Sequence, residues 1–288
     1  MEVRLIDYTK NAEELLLLAK YTRLSNDSSK ALDIIRSWNS DKVKEELNYA
    51  LNTIESTFEF IHFTFSISGV DRNFTHQLVR QRDKTLDHTY AGVSFAQMSG
   101  RTVDSSDLKM FTPEALNKEQ SKIFEQGVND LKETYNKLLS MGVATQDARS
   151  ILPGAIETAI IVKFDLRSLS HMLQERLCTR VQGMFQKVAQ EMRKLVLEIY
   201  PWLEQVLCCY CCKVGTCRFS NYKECPIKGI QFDPNTGLTY QYADGAVDNL
   251  IDSRDDKSRP ATKNEIRVAW KIMNERGGFE AIPTMQNK

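Results

Sequence analysis

The sequence predicts an α+β fold, and three observations carry that reading. Met1–Asp7 and Phe58–Val70 alternate apolar and polar residues, as half-buried strands do. Ala155–Phe164 is apolar and β-branched, which suits a further strand. Between and after these run longer stretches with apolar residues at helical spacing. With 288 residues and 42% hydrophobic content, the chain can build a sizeable core as one large domain, or one domain plus an appendage.

In chain order, Ala12–Lys20 (AEELLLLAK) reads as a helix. Helices follow at Ser28–Trp38 and Asp41–Ser56, the second with Leu47, Leu51 and Ile54 as its buried stripe. In the strand ending at Gly69, His62 and Thr64 are two apart and share a face. Asp71 is suited to cap a short helix with Phe74, Leu78 and Val79 on its apolar side. Asp83–Gly92 is polar and reads as an inserted loop. Thr112–Met141 reads as one long helix with Pro113 at its first position and Leu116, Ile123, Val128, Leu131, Tyr135, Leu138 and Leu139 on its buried side. Thr145–Pro153 is a short helix. Asp165 caps a helix, or a broken pair, running from Leu166 to Ile199. Beyond residue 230 the chain is polar, then weakly helical around Asn264–Arg276.

Net charge is zero, so no global field draws in nucleic acid or a membrane surface. No run of 18 apolar residues is present. MEVRLIDYT opens as a strand rather than a signal peptide, so a soluble cytoplasmic protein is expected.

The residues with chemical content cluster first in Asp71–Arg101. Gln77, Arg80 and Arg82 lie opposite the apolar side of the short helix. The segment Ser94–Arg101, read as a loop, combines hydroxyls, Gly100 and Arg101, the ingredients of a phosphate cradle. The plainer reading is a basic surface helix followed by a polar loop. Arg149, Arg176 and Arg180 also stand in or beside apolar segments, where guanidiniums can grip phosphate in a bidentate way or simply form salt bridges. A single helix through Arg176 and Arg180 would put both on one face.

HQLVRQR followed by SFAQMSGR resembles the signature of the flavin-dependent thymidylate synthases. The resemblance extends from Met1 to about Leu207. It includes Ala19, Arg23 and Ser25 in one turn, the His62–Thr64 strand, ARSILP at Ala148–Pro153 and RSLSHMLQER at Arg167–Arg176. It implies a small antiparallel sheet wrapped by helices, and a homotetramer whose active sites are shared between subunits. It also implies reductive methylation of deoxyuridylate (dUMP) with FAD, NADPH and methylenetetrahydrofolate. By position, Gln77, Arg80, Gln97, Ser99, Gly100, Arg101, Arg149 and Arg176 would bind dUMP, with Arg80 and Arg176 catalytic at the uracil. Ser25, His62, Thr64, Arg82, Asp165, Arg167, His171 and Arg180 would surround the flavin.

Three features depart from the family pattern. Gln81 replaces the central histidine of the signature, and Arg180 stands where a histidine is common. Eleven residues separate Arg82 from Ser94, far more than the family's short spacer. These departures keep two alternatives open: a dUMP hydroxymethylase on the same scaffold, and a non-catalytic nucleotide or nucleic-acid binder.

Seven cysteines complete the inventory. Cys178 stands alone in RLCTR, read as mid-helix. The other six crowd into Cys208–Cys225. Cys209, Cys212, Cys217 and Cys225 can be chosen as four thiolate ligands for a structural zinc, with an iron–sulfur cluster as the alternative. The division expected is a catalytic domain over 1–207 and a cysteine-rich extension over 208–288.

Overall fold

A computed structural model describes residues 1–22, 27–80, 92–99, 109–178, 180–181, 183–214, 230–233 and 237–240. These fall into two compact units, Met1–His171 with Lys194–Ile199, and Met172–Arg193 with Tyr200–Lys288.

The first unit is built on a four-stranded antiparallel sheet in the order β1-β2-β4-β3. Its strands are β1 (Glu2–Tyr8), β2 (His62–Asp71), β3 (Val93–Gln97) and β4 (Glu157–Asp165). Alternation decides its two faces. Phe63, Phe65 and Ile67 of β2 are fully buried, as are Val162 and Phe164 of β4. Burying each such side chain contributes about 1.5–3 kcal/mol. The other face carries His62, Thr64 and Ser66, paired across the ladder with Asp165, Lys163 and Ile161. A register shift between Ile67 and Val70 marks a bulge, and Gly69 within it has φ +64°. A residue without Cβ adopts that backbone most readily.

Helices α1 (Ala12–Tyr21), α2 (Ser28–Ser37) and α3 (Ser40–Thr53) pack together, and α4 (Arg72–Leu78) lies on β2 and β4. The expected stripe of α3 is buried at Leu47 and Leu51, with Ile54 just past its end. Lys20 is buried and bonded to Glu46, which also takes Lys42 at 2.7 Å. Asp71 caps α4 by accepting from the Phe74 N–H at 2.6 Å.

Several boundaries differ from the sequence reading, each for a local reason. Glu55–Phe60 is a 3-10 turn rather than the start of β2, held by the Thr57 hydroxyl and the Ile61 N–H. Ser94–Gln97 belongs to β3, because its backbone pairs with β4; only Met98 and Ser99 of the described residues continue as irregular chain. The long helix α5 covers Lys118–Ser140, not Thr112–Met141. Asn117 caps it in a reciprocal capping box with Gln120, which satisfies donors that Pro113 cannot. Pro113 instead closes a preceding turn by accepting from Leu116. Val128 and Tyr135 of α5 are buried as expected, but Ile123 is exposed. The short helix divides into α6 (Thr145–Ala148) and a 3-10 turn, Arg149–Ile151.

The stretch from Leu166 is a broken pair, α7 (Leu166–Arg176) and α8 (Gly183–Ile199). In the second unit, the turn after α7 is closed by the Cys178 carbonyl, which accepts from Val181 N–H at 2.9 Å and Gln186 Nε2 at 3.0 Å. Arg180 therefore lies beyond the helix that carries Arg176, not one turn along it, and Cys178 is not mid-helix. Leu173, Leu177, Val188, Ala189, Met192, Leu203, Val206 and Leu207 are buried. A short helix α9 (Tyr210–Val214) follows, and β5 (Ile230–Asp233) pairs with β6 (Gly237–Tyr240). No helix among the described residues is long and apolar enough to cross a membrane. The expected loop Asp83–Gly92, apart from Gly92, and the expected helix Asn264–Arg276 lie outside the described residues.

Candidate functional site

The polar face of the first unit's sheet holds a cavity of about 240 Å³ lined by Glu59, His62, Gly92, Val93, Ser94, Lys163 and Asp165. Ladder pairing assembles it. One cross-strand row runs Asp7, Thr64, Lys163, Ser94, and the next sets His62 against Asp165. Residues distant in sequence thus meet because antiparallel partners point to the same side of a sheet.

Each wall is held in place. The Thr9 hydroxyl accepts from the His62 N–H at 2.9 Å and lies 2.8 Å from its Nδ1. Nε2 lies 3.4 Å from Asp7. The hydroxyl proton then points at Nδ1 and the ring proton at the carboxylate, an assignment from the hydrogen-bond pattern. Asp165 is buried, and its Oδ1 accepts from the Ser168 N–H at 2.6 Å, capping α7. Gly92 has φ +94°, and its carbonyl accepts from the Asp165 N–H at 2.7 Å. A Cβ there would stand 1.7 Å from the Asp165 carboxylate. Arg167 pairs with Glu59 of the cavity wall, and His171 Nε2 is 3.9 Å from Glu55. Lys163 is exposed and gives the lining its positive charge.

Of the flavin candidates, the structure brings together His62, Thr64 and Asp165 on one sheet face, with Arg167 reaching the wall through Glu59. Ser25 and Arg82 lie outside the described residues. Arg180 is exposed and belongs to the second unit. Lys163, Ser94 and Glu59 were not among the sequence-derived flavin residues. The signal for Lys163 was available: it is a lone cation in the apolar strand IIVKF.

The residues present suit a flavin. The walls are polar, and Lys163 supplies a cation for phosphate alongside the carboxylates of Glu59 and Asp165. The volume matches one polar segment of a dinucleotide rather than the whole molecule.

The dUMP candidates are spread over separate elements. Gln77 and Arg80 are exposed at the end of α4. Gln97 is on the opposite sheet face from Ser94, and its Nε2 donates to the buried Thr75 hydroxyl at 2.8 Å. Ser99 is exposed, while Gly100 and Arg101 lie outside the described residues. The Arg149 Nε donates to the Gln146 carbonyl at 3.2 Å. Arg176, in the second unit, stacks on Phe185 with 4.3 Å from guanidinium to ring centroid. Burial pushes its pKa down, opposed by Glu175, and the group stays charged.

In the second unit, Cys208, Cys209 and Cys212 are buried. Cys217 and Cys225 lie outside the described residues. Among the described residues, no three His, Cys, Asp or Glu side chains are already arranged to hold a metal ion.

The family model for "thymidylate synthase complementing protein" matches residues 4–202. A protein of Sulfurisphaera tokodaii named "Flavin-dependent thymidylate synthase" is 31% identical over 211 residues, covering 70% of this chain and 76% of the relative. One of the same name from Clostridium tetani is 29% identical, covering 70% and 84%. Another, from Nitratidesulfovibrio vulgaris, is 34% identical over 172 residues, covering 56% and 66%. With the signature residues on α4 and β3 and the polar sheet face they flank, these matches place the chain in one family: it belongs to the thymidylate synthase complementing proteins.

Proposed function

We propose that this chain is a flavin-dependent thymidylate synthase, which methylates dUMP using methylenetetrahydrofolate, with FAD as cofactor and NADPH as reductant. The reading is supported above all by His62 and Asp165 in the wall of one polar cavity, with Thr64 on the same sheet face, within a chain of this family. His62, Thr64, Asp165, Arg167 and His171 hold the flavin with Lys163 and Ser94, and Ser25, Arg82 and Arg180 complete its surroundings. Both His62 ring nitrogens are engaged, so the imidazole forms an oriented wall of the cavity. When bound, reduced flavin supplies the hydride that completes the methyl group.

The chain's own work is binding and charge. Ser99, Gly100, Arg101 and Arg149 hold the dUMP phosphate, and Gln77 and Gln97 orient the nucleotide. The guanidiniums of Arg176 and Arg80 stabilise negative charge developing on the pyrimidine carbonyls as carbon 5 becomes nucleophilic. Stacking on Phe185 holds the Arg176 group rigid before the reaction begins. The enzyme works in the cytoplasm as a homotetramer with sites shared between subunits, and a structural zinc fastens its cysteine-rich stretch.

The test is incubation of purified protein with FAD, NADPH, methylenetetrahydrofolate and dUMP, followed by mass spectrometry of the nucleotide. Thymidylate is expected. A hydroxymethylated nucleotide would assign the hydroxymethylase chemistry instead, and no product with no bound flavin would leave a non-catalytic binder. In the same assay Arg176→Ala should abolish turnover, and unchanged kinetics would remove Arg176 from the site.

A further inference from the structure

The cavity on the polar sheet face is divided by charge. On one side, Ser94 of β3 stands directly across the ladder from Lys163 of β4, and Thr64 of β2 stands across from Lys163 on its other flank. Side chains paired in this way are about 5 Å apart at Cβ. A cation is thus flanked by two hydroxyls on one face of the sheet. Among the described residues, the side chains of Lys163, Thr64 and Ser94 have no ion pair or hydrogen bond. Their bonding capacity is not spent on the protein.

The other side carries carboxylates. Asp165 is two residues along β4 from Lys163, about 6.6 Å further on, and on the same face. Glu59 lies in the same wall, paired with Arg167. A carboxylate accepts hydrogen bonds and donates none, so a ligand must meet it with a hydroxyl or an N–H. It repels a phosphate, whereas an ammonium takes a phosphate oxygen in a charge-assisted bond. Among the described residues, Val93 is the one apolar side chain in the lining, so a flavin or adenine ring finds little apolar surface there.

We propose that this cavity binds a sugar 5′-phosphate segment of the flavin cofactor, its phosphate held by Lys163 with the Ser94 and Thr64 hydroxyls and its sugar hydroxyls held by Asp165 and Glu59. The inference rests on the flavin reading and narrows it to the part of the cofactor that this wall recognises. FAD contains two such segments, the ribityl phosphate of its flavin half and the ribose phosphate of its adenylate half. Both offer a phosphate at one end and neighbouring hydroxyls at the other, which is the order of the wall. Lys163 is then a specificity-determining residue that reads the phosphate, not the ring.

The experiment uses the full chain and measures binding. FAD is titrated by fluorescence, and FMN, riboflavin, 5′-AMP and adenosine are then used to displace it. In the wild type one phosphorylated probe should compete at least about ten-fold better than its dephosphorylated form, the advantage of one charged hydrogen bond. An advantage of FMN over riboflavin assigns the ribityl phosphate, and one of 5′-AMP over adenosine assigns the adenylate half. Lys163→Ala should erase that advantage, and Lys163→Arg should keep most of it. Each ratio is taken within one protein, so a general loss of folding cancels. For the hydroxyl end, 2′,3′-dideoxy-AMP should compete several-fold less well than 5′-AMP if the adenylate half is seated, and lumiflavin less well than riboflavin if the ribityl half is. FAD binding with no phosphate advantage for either pair, or with one that survives Lys163→Ala, would overturn the inference while leaving the flavin reading in place. A wild type that does not bind FAD would overturn both.

Discussion

His62 and Lys163 differ in how a single side chain earns a place at a site. His62 is tied down by Thr9 and Asp7, so its value is a fixed shape. Lys163 contributes charge toward the cavity. Removing one charged hydrogen-bond partner of a ligand costs about 1.5–3 kcal/mol. Lys163→Ala should therefore weaken flavin binding by roughly ten-fold or more without unfolding the chain, as read by fluorescence titration with FAD. Glu46 gives a pH signature. The Lys20 hydrogen bond, then that from Lys42, holds its carboxyl below the ordinary range. Its contribution is full above the unfolded value of ~4.3 and fades as pH falls through the lower folded value. Glu46→Gln should cost about 1–3 kcal/mol at neutral pH, because Lys20 stays buried. In denaturation across acid pH, the wild-type and variant stabilities should draw together below the unfolded value and meet below the lower folded one. Among residues, Asp71 and Asp165 were legible as caps because capping is a local act. The turn at Cys178 was not, because it is closed by the Val181 N–H and by the Gln186 side chain eight residues away.

Elements were legible where their pattern is self-contained. The alternation Phe63, Phe65, Ile67 fixed one face of β2, and the stripe of α3 fixed its inward side. The strand β3 was missed because SFAQ is short and flanked by serine and glycine; what makes it a strand is the ladder with β4. The start of α5 was misplaced because Pro113 tolerates a first helical turn but does not compel one, whereas the Asn117 and Gln120 side chains satisfy free backbone donors directly. Asn117→Ala should cost about 1 kcal/mol and lower the melting temperature by a few degrees, while Pro113→Ala should change little. An equal loss in the two variants would show that the box does not govern the helix start.

For the whole molecule, the family signature reached as far as the first unit's site, and antiparallel pairing supplied the cavity that no linear motif states. Four strands with helices fit the expected α+β class. The second unit draws on Met172–Arg193 as well as the residues from Tyr200 onward, a grouping that only folding brings about. Cys208, Cys209 and Cys212 are buried alongside Leu203, Val206 and Leu207. A chain ended after Leu207 should therefore melt at a lower temperature than one ended after Val214. Identical melting of the two would mean that α9 adds nothing to the second unit.

Gly92 also sets a rule for variation in this chain. The chain enters β3 through Gly92, where the backbone is left-handed and a Cβ would meet a capping carboxylate. Substitutions and length changes upstream need not disturb the sheet, provided that the returning chain delivers a residue without a side chain at that point. An engineer could thus exchange the insertion, for altered selectivity or a reporter, while treating its last glycine as part of the scaffold.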